Sequence, residues 1–147
     1  MKRFEERTTV SVPREQVFDY VSDFSRHGEW AGHGLKVTPD GSGPVAVGST
    51  YSTEAKQFGT QRETSTVIEL TPGQMFGWES KGALGTVHHW FSMAGEDGST
   101  SLTKGIEFTH PSFLAKVMGW RINNDSPKSL RKDLENIKSK LESSASS

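Results

Sequence analysis

The sequence predicts an α+β fold in which a curved antiparallel sheet wraps around a long C-terminal helix, and three observations predict it. A Pro-led helical stretch follows the first strand-like run, a long series of strand-like runs fills the middle, and an amphipathic helical stretch spans about residues 112–142. The turns between the central runs are short enough for hairpins, so sequential strands are neighbours in an antiparallel meander. A sheet of this kind has one face to bury and one long helix to bury it. It must therefore curve, and it leaves a container between itself and the helix.

Each element has its own justification. Residues 4–12 include Thr8, Thr9, Val10 and Val12, which favours a first strand. Pro13 then opens a helix, where its missing N–H costs nothing, and Glu15 places negative charge in the first turn. Val17, Phe18, Val21 and Phe24 recur at helical spacing and form one buried stripe. Val12 is a poor N-cap, so that helix lacks a side-chain cap. A second short helix or turn is predicted at residues 25–31, carrying Trp30, before a Gly- and Pro-rich loop with one edge strand near residues 35–38.

From Gly48 the texture changes. Residues 49–58, 60–71, 74–80, 84–94 and 101–110 read as strands bounded by Gly, Pro or Asp clusters. Near the end, Leu130, Leu134, Ile137 and Leu141 step by four, three and four residues, the spacing of a stripe facing a sheet. Phe113, Leu114, Val117, Met118, Trp120 and Ile122 instead spread around most of a helix. Ser126-Pro127 reads as an N-cap and first helical residue, which predicts a kink or break over residues 123–127. The Ser-rich residues 143–147 read as a disordered tail, leaving one domain over residues 1–142.

Composition excludes several classes of function. With no cysteine, the chain cannot build a disulfide framework, a zinc-thiolate site or a Cys nucleophile, and this usage suits a cytoplasmic location. Neither a signal peptide nor a stretch long enough to span a membrane is present. Basic and acidic residues, 17 and 18, are interspersed and give a net charge of −1, without the basic face that nucleic acid requires. No Gly-x-Ser-x-Gly elbow or phosphate-cradling loop occurs. No cofactor is expected, and monomer and homodimer both remain open.

Several pieces of sequence, in order, resemble the polyketide cyclase/dehydrase and lipid-transport group of the START-like (SRPBCC) superfamily. They are residues 12–18 (Val-Pro-Arg-Glu-Gln-Val-Phe), Asp23 and Trp30, residues 47–51 (Val-Gly-Ser-Thr-Tyr), residues 69–78 around Pro72-Gly73, residues 90–93 (Trp-Phe-Ser-Met) and residues 98–103. The resemblance implies a helix-grip fold with a cavity between sheet and C-terminal helix. It further implies lipid, hormone or polyketide ligands that are bound or remodelled.

Strand parity then nominates cavity residues. In the run of residues 84–94, Val87, His89, Phe91 and Met93 share one face, while His88 and Trp90 share the other. The first set is more apolar and is assigned to the cavity, making His89 a candidate hydrogen-bonding group and general acid or base. His88 and His89 point to opposite faces and cannot chelate one metal ion together, so no metal is expected. In the next strand Lys104 shares a face with Leu102, Ile106 and Phe108; it either snorkels at the rim or pairs with an acidic group or ligand inside. Arg62 and Glu63 read as a solvated strand end. Family pattern and parity add Trp30, Tyr51, Phe76 and Trp78 to the wall, and Leu114 and Met118 join it from the first helical segment. Two functions follow from this set: binding a small hydrophobic ligand for transport, sequestration or sensing, or cyclase or dehydratase chemistry through His89. A partner-binding module built on residues 113–122 is a third.

Overall fold

The computed structural model describes residues 3–32, 34–56 and 59–145. Strand β1 (Arg3–Val10) leads to helix α1 (Arg14–Val21), whose N-cap, Pro13, supplies no side-chain hydrogen bond. A short 3-10 helix (Phe24–Glu29) follows. Next come β2 (Lys36–Pro39), β3 (Thr50–Lys56), β4 (Thr60–Thr71), β5 (Met75–Gly82), β6 (Gly85–Ala94) and β7 (Thr100–Pro111). Helices α2 (Phe113–Val117) and α3 (Gly119–Ala145) end the described chain. The predicted end of the third strand, residues 57 and 58, lies outside the described residues.

The strands form one antiparallel sheet in the order β1-β7-β6-β5-β4-β3-β2. Strands β2 to β7 are the expected meander, and β1 crosses to pair with β7, setting Arg3 opposite Glu107 and Val10 opposite Thr100. The register shifts at Ile68 of β4, between Val67 and Glu69, and at Thr109 of β7, which lies opposite the step from Thr86 to Val87 in β6. Each bulge bends its strand and increases its twist, so the sheet curls around the helix rather than lying flat. Outside this curve Trp90 is buried against β7, because Gly105 has no side chain: a Cβ there would sit 2.1 Å from the Trp90 ring.

Helix α3 buries Leu130, Leu134, Ile137 and Leu141 against the concave face, as their spacing predicts. Polar contacts fix its position. Arg131 pairs with Glu6 at 3.1 Å, the Ser11 N–H donates to Glu142 at 2.9 Å, and the Asn136 amide donates to the Trp30 carbonyl at 3.0 Å.

The helical end of the chain differs from its sequence reading in the position of its break. The break falls at Met118, between α2 and α3, and Pro127 lies inside α3. Ser112 is the residue that caps, its hydroxyl accepting from the Ala115 N–H at 3.2 Å. Pro127 deprives only the Asn123 carbonyl of a helical partner, and Asn123 is exposed to water that can replace it. Burial of Ile122 and Leu130 on either side holds the helix together. Past the Leu141 anchor α3 continues to Ala145, each further residue adding a helical hydrogen bond without new nucleation, and the last two residues of the predicted tail lie outside the described residues.

Candidate functional site

Between the concave face of the sheet, the 3-10 helix with the adjoining Trp30, Ala31, Gly32 and Leu35, and the first half of α3 lies a cavity of about 530 Å³. Phe24, Trp30, Trp78, Val87, Ile106 and Phe108 give it apolar walls, and Ile122 and Leu130 line it from α3. It therefore opens beside residues 121–133 of α3, whereas the sequence reading set it against residues 113–122.

Across this apolar surface runs a row of polar side chains drawn from the successive strands β3 to β7, two of them from β4. Thr53 of β3 stands opposite Glu63 of β4, Ser65 of β4 opposite Ser80 of β5, and Trp78 of β5 opposite His89 of β6. Lys104 of β7 stands opposite Phe91, one inward step along from His89, and reaches Asp133 of α3. Period-two alternation on neighbouring strands is what puts these six strand groups on one face.

His89 occupies the middle of the row. Its ring stacks on Trp78 at 5.0 Å with the planes 2° apart, and its Nε2 is hydrogen-bonded to the Ser80 hydroxyl at 3.0 Å. Burial, then the charge of Lys104, then His88 and His27 push its pKa well below the ordinary imidazole value. The ring is thus neutral at pH 7, with one nitrogen donating and the other accepting. His88 lies on the other face beside Trp90, and no group of three or more His, Asp or Glu among the described residues is placed to hold a metal ion.

Lys104 does not snorkel to the rim. It is 5 % exposed, and its Nζ lies 3.5 Å from the Asp133 carboxylate, itself 7 % exposed. The ammonium also stands over the rings of Trp30 and Phe91 at 5.6 and 5.7 Å. Burial lowers the Lys104 pKa, and the Asp133 carboxylate opposes that shift. The reading of Glu63 as a solvated strand end is corrected too. Its carboxyl lines the cavity with no hydrogen-bonding or ionic partner among the described residues, and burial raises its pKa. Gly82 makes room for it: a Cβ there would lie 2.6 Å from Glu63 Cγ.

His27, absent from the sequence reading, closes the inner wall. It is fully buried, stacked on Phe24 at 4.2 Å, and its Nε2 donates to the Val21 carbonyl at 2.8 Å. Burial pushes its pKa down to about 3. The neighbouring Trp30 indole N–H is buried without a hydrogen-bond partner.

Of the residues nominated from sequence, Trp30, Trp78, Val87, His89, Lys104 and Phe108 line the cavity. Tyr51, Phe76, Phe91 and Met93 share the concave face but lie in the packed core outside the lining, with Tyr51 stacked on Phe24 at 4.4 Å and Phe76 wholly buried. The 3-10 helix covers that end of the sheet and fills it with Phe24 and His27. Leu114 is on the outer surface, and Met118 packs in a small cluster with Val87, Phe108 and Ile122, because the chain breaks at Met118 and turns α2 away from the cavity.

The family model described as "Polyketide cyclase / dehydrase and lipid transport" matches residues 1–142. The chain belongs to this family. Comparison with curated proteins finds no match. Among solved structures, TTHA0849 from Thermus thermophilus is similar with a TM-score of 0.77 at 11 % identity, covering 97 % of this chain and 99 % of that one. The Zhui aromatase/cyclase from a Streptomyces species superposes with a TM-score of 0.73 at 14 % identity, covering 96 % and 93 %. The di-domain ARO/CYC StfQ of the steffimycin biosynthetic pathway gives a TM-score of 0.77 at 12 % identity over 99 % of this chain and 52 % of its own. At these identities the likeness establishes the shared helix-grip fold of this polyketide cyclase and lipid-transport family member.

Proposed function

We propose that the protein binds a small hydrophobic molecule carrying several oxygen substituents, lipid- or polyketide-like, for transport, sequestration or sensing. The observation that carries this reading is the polar row from Thr53 to Lys104 laid across an otherwise apolar cavity of about 530 Å³. Few, fixed polar groups in an apolar wall are what orient a ligand held mainly by burial. Neutral His89 and the unpaired Trp30 N–H add hydrogen-bonding capacity beside the charged Lys104–Asp133 pair.

A second reading, cyclase or dehydratase chemistry on a polyketide-like substrate, is favoured by Glu63. A carboxyl without a partner among the described residues, its pKa raised by burial, is suited to hold and pass a proton. His89, held neutral, is then better suited to orient a carbonyl than to act as an acid.

Calorimetric titration with a hydroxylated aromatic ketone tests the role of His89. The His89→Phe variant keeps the bulk but loses both ring nitrogens, so affinity falls about three- to tenfold, the worth of one hydrogen bond. His88→Phe leaves affinity unchanged. Equal behaviour of the two variants contradicts the assignment.

A further inference from the structure

The elbow joining α2 to α3 leaves its apolar side chains in water. Phe113 is 82 % exposed, Trp120 75 %, Val117 58 % and Leu114 39 %. Single exposed apolar residues need no explanation, but four within eight positions, two of them large aromatics, form a patch. The charge around them is one-sided. Between residues 112 and 132 stand Lys116, Arg121, Lys128, Arg131 and Lys132 against a single acid, Asp125, in a chain whose net charge is −1. All five cations are exposed, and among the described residues Lys116, Lys128 and Lys132 form no ion pair.

We infer that this elbow docks on an anionic lipid bilayer. Aromatic and aliphatic side chains flanked by lysine and arginine are the composition of a segment that lies in the membrane interface, where the apolar groups enter the headgroup boundary and the cations meet anionic lipid. A second copy of the chain fits less well, since a two-fold contact through the same patch sets these cations against one another. The position of the patch supports the assignment independently. Residues that follow Trp120 directly, Arg121, Ile122, Asp125 and Lys128, line the cavity, so the docked surface is continuous with the cavity's edge. The contact is peripheral: no described helix is long and apolar enough to cross a membrane. The inference does not depend on the ligand or on the role of His89.

Co-sedimentation with vesicles tests it. The protein is expected to sediment with mixed phosphatidylcholine and phosphatidylglycerol vesicles, and far less with pure phosphatidylcholine. Added salt releases it. Trp30, Trp78 and Trp90 are buried, so a blue shift of tryptophan emission on vesicle addition reports Trp120, and Trp120→Phe removes the shift. The double variant Phe113→Ser/Trp120→Ser lowers vesicle partitioning at least about tenfold, and Lys116→Glu, at a residue outside the cavity lining, lowers it on the anionic vesicles. Circular dichroism and binding of an apolar dye in the absence of vesicles stay unchanged in both variants, which separates loss of docking from loss of the cavity. Absence of co-sedimentation overturns the inference, as does equal binding to both vesicle types. A wild-type dimer that Phe113→Ser/Trp120→Ser dissolves, without vesicle binding, also overturns it and makes the elbow a subunit interface.

Discussion

Replacing Lys104 with Met lowers the stability of the fold by about 3–5 kcal/mol, because it strands the Asp133 carboxylate in the interior. Both groups are almost fully buried, and their 3.5 Å separation is longer than an ideal ion pair. The pair is therefore costly to break without being strongly stabilising relative to an apolar replacement. Lys104→Met/Asp133→Leu should accordingly recover most of the loss. Chemical denaturation of the wild type, both single variants and the double variant gives the coupling directly. Additive losses would mean that the two groups do not interact.

Acid is expected to destabilise the protein from about pH 6.5 downward, above the range in which carboxylates titrate. His27 and His89 are neutral in the fold, with pKa values lowered by burial, to about 3 for His27 and well below the ordinary value for His89. In the unfolded chain each takes a proton near pH 6.5, so the unfolded state binds more protons below that pH. Their stabilising contribution is complete above about pH 6.5 and is lost progressively as pH falls toward the folded-state values, at up to ~1.4 kcal/mol per pH unit for each histidine. Urea unfolding between pH 7 and 5 measures the slope, and His89→Phe removes one histidine's share of it. A flat profile in this range contradicts the burial of both rings.

Much of the fold is legible because periodicity reports burial. The Leu130, Leu134, Ile137, Leu141 stripe and the alternation of Val87, His89, Phe91 and Met93 each record one face of an element against the core. The same patterns hold the polar partners of the site as well. Asp133 falls three residues after Leu130 and four before Ile137, within the buried stripe, which marks it as the partner of an inward lysine. Glu63 alternates with Ser65 and Val67 toward the interior, although proximity to a turn suggests solvent. His27 carries no such signal: beyond its local contact with Trp30, its burial arises from long-range packing against Phe76 and Trp78, which a short 3-10 helix does not encode in any repeat. The misplaced helix break has a similar cause. Proline's local preference at residue 127 was outweighed by side-chain burial on both sides of it.

The ligand-binding role of the cavity is tested most directly by titrating the wild-type protein and an Ile106→Trp variant with an apolar dye whose fluorescence rises on burial. Ile106 lines the cavity opposite His89, so the larger indole occupies ligand space. The wild type is predicted to bind one dye per chain saturably, and Ile106→Trp to lose that binding while remaining folded. Binding that fails to saturate, or that the Ile106→Trp substitution leaves unchanged, would place the dye elsewhere and contradict the assignment of this cavity as the functional site.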